Sequence, residues 1–569
     1  MLLIRKTKWF ALFTNTVVMV LLTVSPSVCA TYYVSTTGKD SNTGELTTPW
    51  KTIQYAANSA KAGDTVFIRG GSYNEHVVMK HSGVEGSYIT FSAYTGESVT
   101  IDGKGIAIGS GGGLLDLSNT NYLKVSNLRV INSASAAIYA ENTDNIIIAN
   151  NYTYNSVSSG IGIWSSSNVK IDSNEVVLAC NNGNQESITV ANTRDFEVVN
   201  NAVHDGGPGD KGGEGIDIKS GSHDGIVHDN KVYNINTLCI YVDAGAKHTY
   251  NITVYDNTAF NCKTNGFALA SEAGGLLENV TLYNNLSYNN TWYGLHIVDY
   301  GTNVSNHPLK DINIYNNTFY RNGKEKWAGG IYINNPDVQN LVIRNNIVSN
   351  NYMFQIVKTH TVSDSAVVID NNLIDGFKGY PDETYGTNPV KGDPIFVDPA
   401  VFNLRLQSSS PAIDNASTLN VPGHDNDGRR RPKGSGYDIG AYEFTSSNPN
   451  PVIMANGVRG IVNISSKDRL IISLSLDSGK YLGSNADWWL VLATSYGVYY
   501  YDLNTASWLP GIKPVLQGKL FDIPLGQVFD YTGIAPGTYT FYLGVDTNMN
   551  SEVDTNLLFY DSLTVKVVN

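Results

Sequence analysis

One asparagine recurs along this chain, and it limits the possible folds more than any other feature. It follows a short apolar strand at Asn127, Asn151, Asn174, Asn201, Asn230, Asn257, Asn285, Asn317, Asn346 and Asn372, at intervals of 23 to 32 residues. A second mark comes after each gap, Gly-apolar-x-apolar. It reads GIGI at Gly160, GIDI at Gly215, GFAL at Gly266, GLHI at Gly294 and GIYI at Gly330, with SITV at Ser187 and CIYV at Cys239 in the same slot. Short alternating strands each bury one face. Asn readily takes left-handed backbone geometry and so can turn a sharp corner. Stacked Asn side chains can also bond coil to coil. Strand, Asn corner, strand, loop and strand, repeated, predict an all-β right-handed parallel β-helix solenoid. Leucine-rich repeats need a Leu scaffold, and propeller blades need longer units with hairpins.

Composition agrees with this. The 569 residues alone would suggest three or four domains, but a repeat fold runs longer as one. A hydrophobic content of 42% excludes a disordered chain. Only 16% of residues are charged and the net charge is −13, which disfavours a nucleic-acid partner.

Residues 1–30 read as a secretory signal peptide. Arg5, Lys6 and Lys8 are basic, Phe10 to Val24 is mostly apolar, and Val28-Cys29-Ala30 ends on a small residue. Acylation at Cys29 and an uncleaved anchor are the alternatives. A secreted or cell-surface protein without a membrane span in its mature part is expected. Cys180, Cys239 and Cys262 then remain; their odd number and irregular spacing favour buried thiols over a disulfide framework or zinc site.

Residues 31–105, with YYVSTTGKDSNTG, PWKTIQYAANSAKAGDTVFIRGGSY and YITFSAY, resemble the start of secreted bacterial β-helix proteins of the pectate-lyase-like superfamily. The resemblance implies an N-terminal cap, with a helix over Trp50 to Ala60 closing the solenoid, then a β-helix over 106–390. Residues 391–444, with GDPIFVDP, SPAIDNAS, DNDGRRRP and YDIGAYEF, resemble the closing segment of that group. Residues 445–452 read as a linker, and 453–569, with alternating strands and turns such as APGTY, as a small β-sandwich. Its Trp488, Trp489, Tyr499, Tyr500, Tyr501 and Trp508 are expected in core and edge positions rather than as a sugar platform. Asp546, Asn548, Asn550 and Asp554 have the oxygen spacing of a calcium loop, without its Gly and its final Glu.

In a β-helix, equivalent positions of successive coils stack about 4.8 Å apart. Aligning the Gly-apolar slots gives a column Gly162, Thr189, Asp217, Tyr241, Ala268, His296, Tyr332. A second reads Trp164, Ala191, Lys219, Asp243, Ala270, Val298, Asn334. Before the strand stand Glu186 and Glu214 in successive coils. Glu186, Glu214, Asp217, Lys219 and Asp243 therefore share one face, with His223, Lys247, His248 and Glu272 on the turns that follow. Such bunching in a charge-poor chain marks a candidate site. Tyr241, His296, His223, Glu272 and Trp164 are candidate substrate-binding residues. Glu214-Gly-Ile-Asp-Ile-Lys219 resembles the strand of chondroitinase-B and alginate-lyase relatives in which an acidic residue precedes a Lys by five. The resemblance implies Glu214 as a Ca²⁺ ligand and Lys219 as base. Gly212 replaces their second acidic residue, and no Arg stands in the next coil.

The expected function is a polysaccharide lyase that cleaves a uronic-acid polymer by β-elimination. Ca²⁺ on Glu186, Glu214 and Asp243 would neutralise the uronate, and Lys247 or His248 would protonate the leaving oxygen. No organic cofactor is expected, and the protein is expected to act as a monomer. A glycoside hydrolase using Glu186, Glu214 and Asp217 is the alternative. A non-catalytic glycan-binding surface protein is the third reading. Asp425 to Arg431 is expected to be a structural turn with ion pairs, and the Gly-rich loop His204 to Asp210 a groove wall.

Overall fold

A computed structural model describes residues 29–109, 111–182, 185–208, 212–299, 304–446 and 448–568. The leader expected at the N-terminus therefore lies almost entirely outside the described residues. No helix of the described residues is long and apolar enough to cross a membrane.

Three long parallel sheets form the solenoid, and each coil gives one strand to each sheet. The first sheet has 13 strands, from Thr31–Val34 to Val367–Asp370. The second has 11, from Val77–Val78 to Phe354–Lys358. The third has 13, from Gly71–Tyr73 to Val390–Lys391. Val, Ile and Leu from all three fill one continuous interior, including Ile146, Ile163, Ile218, Val232 and Val254. Full burial of such a side chain contributes about 1.5–3 kcal/mol, so the stacked rows stabilise the whole length.

The Asn pairs divide two tasks that the sequence reading gave to one residue. The left-handed corner belongs to the first member, as at Asn150 (φ 56°), Asn200 (φ 57°), Asn284 (φ 53°), Asn316 (φ 53°) and Asn345 (φ 56°). The second member is buried and forms the ladder. Asn201 Oδ1 accepts from Asn174 N at 2.9 Å and Nδ2 at 3.0 Å, and Asn230 Oδ1 does the same for Asn201 at 2.9 and 3.0 Å. The pattern runs from Asn151 to Asn372. Asn127 is the exception, since it takes the corner itself at φ 61°. A second buried amide ladder, Asn290, Asn322, Asn351 and Gln355, escaped the sequence reading. Its signal is a further Asn five residues after Asn285, Asn317 and Asn346.

The N-terminal helix is shorter than expected, Ile53–Ser59. Thr52 caps it, and Glu75 accepts from Ile53 N at 3.1 Å and Gln54 N at 2.9 Å. Ile53, Ala56 and Ala57 pack on the interior and cover the open end. At the other end, Phe377 and Tyr385 lie against the same core, their rings stacked at 3.9 Å. Residues of the 391–444 segment pack along the flank of the helix. Leu404, Leu406, Ile439 and Tyr442 join Leu286, Tyr320, Ile347 and Leu373 in a separate core, because those third-sheet residues present apolar side chains that need cover. Asp425 to Arg431 is structural there. Arg431 pairs with Glu443 at 2.6 Å, both fully buried, and Asp427 holds Arg405 and Arg429.

Cys239 and Cys262 form a disulfide, which corrects the expectation of unpaired thiols. Their Cα atoms are 5.8 Å apart: Cys239 stands just before the second-sheet strand Ile240–Asp243, and Cys262 follows the third-sheet strand Thr258–Phe260 that leads into the next coil. Cys180 is buried and unpaired. Beyond the linker, a three-stranded sheet and a larger antiparallel-rich sheet enclose a second core of Ile453, Ile472, Leu490, Leu543 and Val565, a β-sandwich. Trp488 and Trp489 are buried in it, and Trp508 packs on Tyr501 and Phe529.

Candidate active site

The second sheet carries the charged face. Its parallel register places Trp164, Ala191 and Lys219 in one column and Thr189, Asp217, Tyr241, Ala268 and His296 in the next. These columns match those read from the sequence. Lys219 Nζ lies 2.5 Å from Glu186 Oε1 and 3.4 Å from Asp217 Oδ2. Thr189 donates to the other oxygen of Glu186 at 2.7 Å. Asp243 and Glu214 complete the cluster through their electrostatic coupling to Lys219 and Asp217.

Burial sets the charges. Glu186, Asp217 and Asp243 are 5%, 2% and 2% exposed, whereas Lys219 and Glu214 are only half-buried. Burial alone would favour a neutral Lys219, but attraction to Asp217 and Glu186 outweighs it, and the ammonium is held above its ordinary value. Burial, then repulsion from Glu186, pushes the Glu214 carboxyl up to about 7. Burial, then Glu272, pushes Asp243 up to about 7. Asp217 is raised well above the carboxylate range, first by burial, and its Oδ1 is buried without a hydrogen-bond partner.

The cluster is more enclosed than a flat column suggests. Leu238, Tyr241, Ala268, Ala270 and Val298 form a buried apolar patch beside it. Tyr241 donates to Glu272 at 2.7 Å. His296 bonds Asn334 at 3.0 Å, and burial lowers it to about 4, so it is neutral near pH 7. Lys247 donates to Asn192 at 3.1 Å, and His248 pairs with Glu278 at 3.0 Å, so both are engaged on neighbouring turns. His223 stands in the first sheet, stacked on Tyr250 at 4.5 Å and bonded to Asp224. Trp164 stacks on Tyr139 with ring centroids 5.0 Å apart.

The carboxylate chemistry suits calcium, and the unpartnered Asp217 oxygen is the kind of atom a cation satisfies. The Lys219 ammonium already occupies the space between Glu186 and Asp217, however. Among the described residues no three Asp, Glu, His or Cys side chains are gathered as metal ligands. The cluster in this arrangement does not fit calcium, and no step is derived through it. In the C-terminal loop Asn548 and Asn550 turn their amides onto Asp554 at 2.7 and 2.9 Å, while Asp546 accepts from Asn548 N and Asp554 N. Those oxygens are likewise engaged within the loop.

A family model described as Pel9A-like, right handed beta helix region, matches residues 32–335. The chain belongs to the Pel9A-like β-helix family. Among this Pel9A-like protein's relatives is uncharacterized protein YwoF of Bacillus subtilis, 27% identical over 442 residues, 67% of this chain and 91% of that one. Pectate lyase PEL9 of Emericella nidulans is 31% identical over 128 residues, 20% of this chain and 31% of its own length. A solved structure of XylC with xylose is similar over 72% of this chain and 98% of its own, at 13% identity and a TM-score of 0.48. The Lys219 cluster lies within the matched region of the Pel9A-like helix.

Proposed function

We propose that this protein is a polysaccharide lyase that cleaves a uronate-containing polymer at the Lys219 cluster. The observation that carries the reading is a charged lysine held among four carboxyl groups, one of which, Glu214, is half-exposed and balanced near neutral pH. The family membership and the pectate lyase relative support the substrate class.

β-Elimination requires that the uronate carboxylate be neutralised before its neighbouring carbon gives up a proton. Lys219 is suited to that task, since it stays positive and its side chain is only partly buried. The sequence reading made Lys219 the base. Its neighbours oppose the neutral form that role needs, so we assign it the neutralising role instead. Glu214, its carboxyl pushed up to about 7, takes the proton from C5 in its ionised form. The C4–O bond then breaks, a C4=C5 double bond forms, and the same carboxyl returns its proton to the leaving oxygen. Atoms and charge balance without a co-reactant. Asp217 and Asp243, with raised proton affinities, keep the cluster from repelling a polyanion.

The disulfide supports an exported protein, since such bonds persist in oxidising compartments. The test is incubation with uronate and neutral polysaccharides while following absorbance at about 230–235 nm, the mark of the unsaturated product. A saturated, reducing product with no absorbance would transfer the site to hydrolysis by paired carboxyls.

A further inference from the structure

On the N-terminal side of the cluster, the second sheet opens into a cavity of about 480 Å³. One wall is the stacked pair Tyr139 and Trp164, and Ser135, Ser158, Gln185 and Gly112 supply polar groups around it. Among the described residues no charged side chain lines it. Tyr139 donates its hydroxyl to Glu141 at 3.0 Å and is buried, so Trp164 is the more exposed of the two rings.

The Trp164 platform is built into the repeat. Its ring folds back over Gly162, where an added Cβ would lie 2.1 Å from Trp164 Cζ3. The Gly-apolar-Gly version of the motif, found at Gly160-Ile-Gly162, is thus what lets the indole lie along the sheet. Trp164 shares its column with Ala191 and Lys219, so the platform lies two coils, roughly 10 Å, from the ammonium along the same face. Ala191, which stands between them, is small and itself buried.

We propose that this cavity is a binding subsite for an uncharged pyranose ring of the substrate, stacked on Trp164. The inference rests on the reading of the Lys219 groove as the site of polysaccharide cleavage and adds a substrate feature to it. A uronate carboxylate placed here would lose water and gain no cation, which opposes its entry. An aromatic face with neutral hydrogen-bonding groups at the edge suits a ring without charge. The shared chemistry has two sources, a neutral sugar and a uronate whose carboxyl is methyl-esterified.

Isothermal titration with tetragalacturonate, its methyl ester and galactotetraose separates these sources. Trp164→Ala is expected to weaken the ester, galactotetraose or both at least tenfold, and tetragalacturonate less than twofold. Gly162→Ala, which displaces the ring, is expected to do the same alone and to add nothing in the Trp164→Ala background. Equal losses for all three probes would overturn the preference for an uncharged ring. Wild-type protein that binds none of them, or cleavage of a uronate polymer with Trp164→Ala leaving every affinity unchanged, would overturn the subsite. Trp164-dependent binding of the neutral probes with no cleavage of any uronate polymer would keep the subsite and remove the lyase reading.

Discussion

In the proposed reaction Lys219 and Glu214 act as a pair because neighbouring carboxyls keep the first charged while burial raises the second. The ammonium is pinned positive by Asp217 and Glu186, while the carboxyl is lifted to about 7. Activity is therefore expected to rise with pH through about 7, as Glu214 loses its proton, and a pH profile of kcat/KM measures this. Lys219→Ala is expected to reduce kcat by about 10²–10³-fold, the scale of removing one charge-stabilising group. The same residues govern stability. Glu214 and Asp243 hold their protons more tightly in the folded protein, so the stability they add is complete below their ordinary values of 4.5 and 3.8 and is lost as pH rises through about 7. Thermal melting is expected to fall across that window, and Glu214→Gln with Asp243→Asn to flatten it. The columns that gather these residues were legible in the sequence because strand register is rigid. Their burial was not, since a column fixes which residues are neighbours and not what covers them, and the apolar patch of Leu238, Tyr241 and Val298 emerges only in the folded coils.

The coil is held by its asparagines, and the two members of a pair should respond differently to substitution. Asn201→Ala leaves Asn174 N and Nδ2 buried without their acceptor, an expected cost of about 1–3 kcal/mol in denaturant unfolding. At the preceding corner, Asn200→Ala must hold φ 57° and is expected to cost about 1–2 kcal/mol, whereas Asn200→Gly keeps the corner. The period of the pair was open to reading because a repeat writes the same constraint many times. Which member bends and which bonds was not, because both tasks select Asn. The second ladder at Asn290, Asn322 and Asn351 was missed because it begins late and spans few coils.

At the scale of the molecule, the solenoid is clamped sideways as well as along its axis. Cys239–Cys262 ties successive coils beside the cluster, and its loss in a Cys239→Ala, Cys262→Ala variant is expected to cost about 2–4 kcal/mol in unfolding. Alkylation of the non-reduced protein, read by mass, should leave these two thiols unmodified. Their pairing was not legible in the sequence, because an odd number of cysteines gives no framework until the coils are stacked. The flank core of Leu404, Ile439 and Tyr442 was hidden for a related reason, since it is set by which third-sheet residues face outward. The proposed reaction uses one face of this support, and one measurement bears most directly on it. Wild-type, Lys219→Ala and Glu214→Gln proteins are incubated with uronate polymers while absorbance at about 230–235 nm is followed. The account predicts rising absorbance for the wild type on at least one uronate and near-complete loss in both variants. Equal rates in all three proteins, or no absorbance on any uronate, would contradict it.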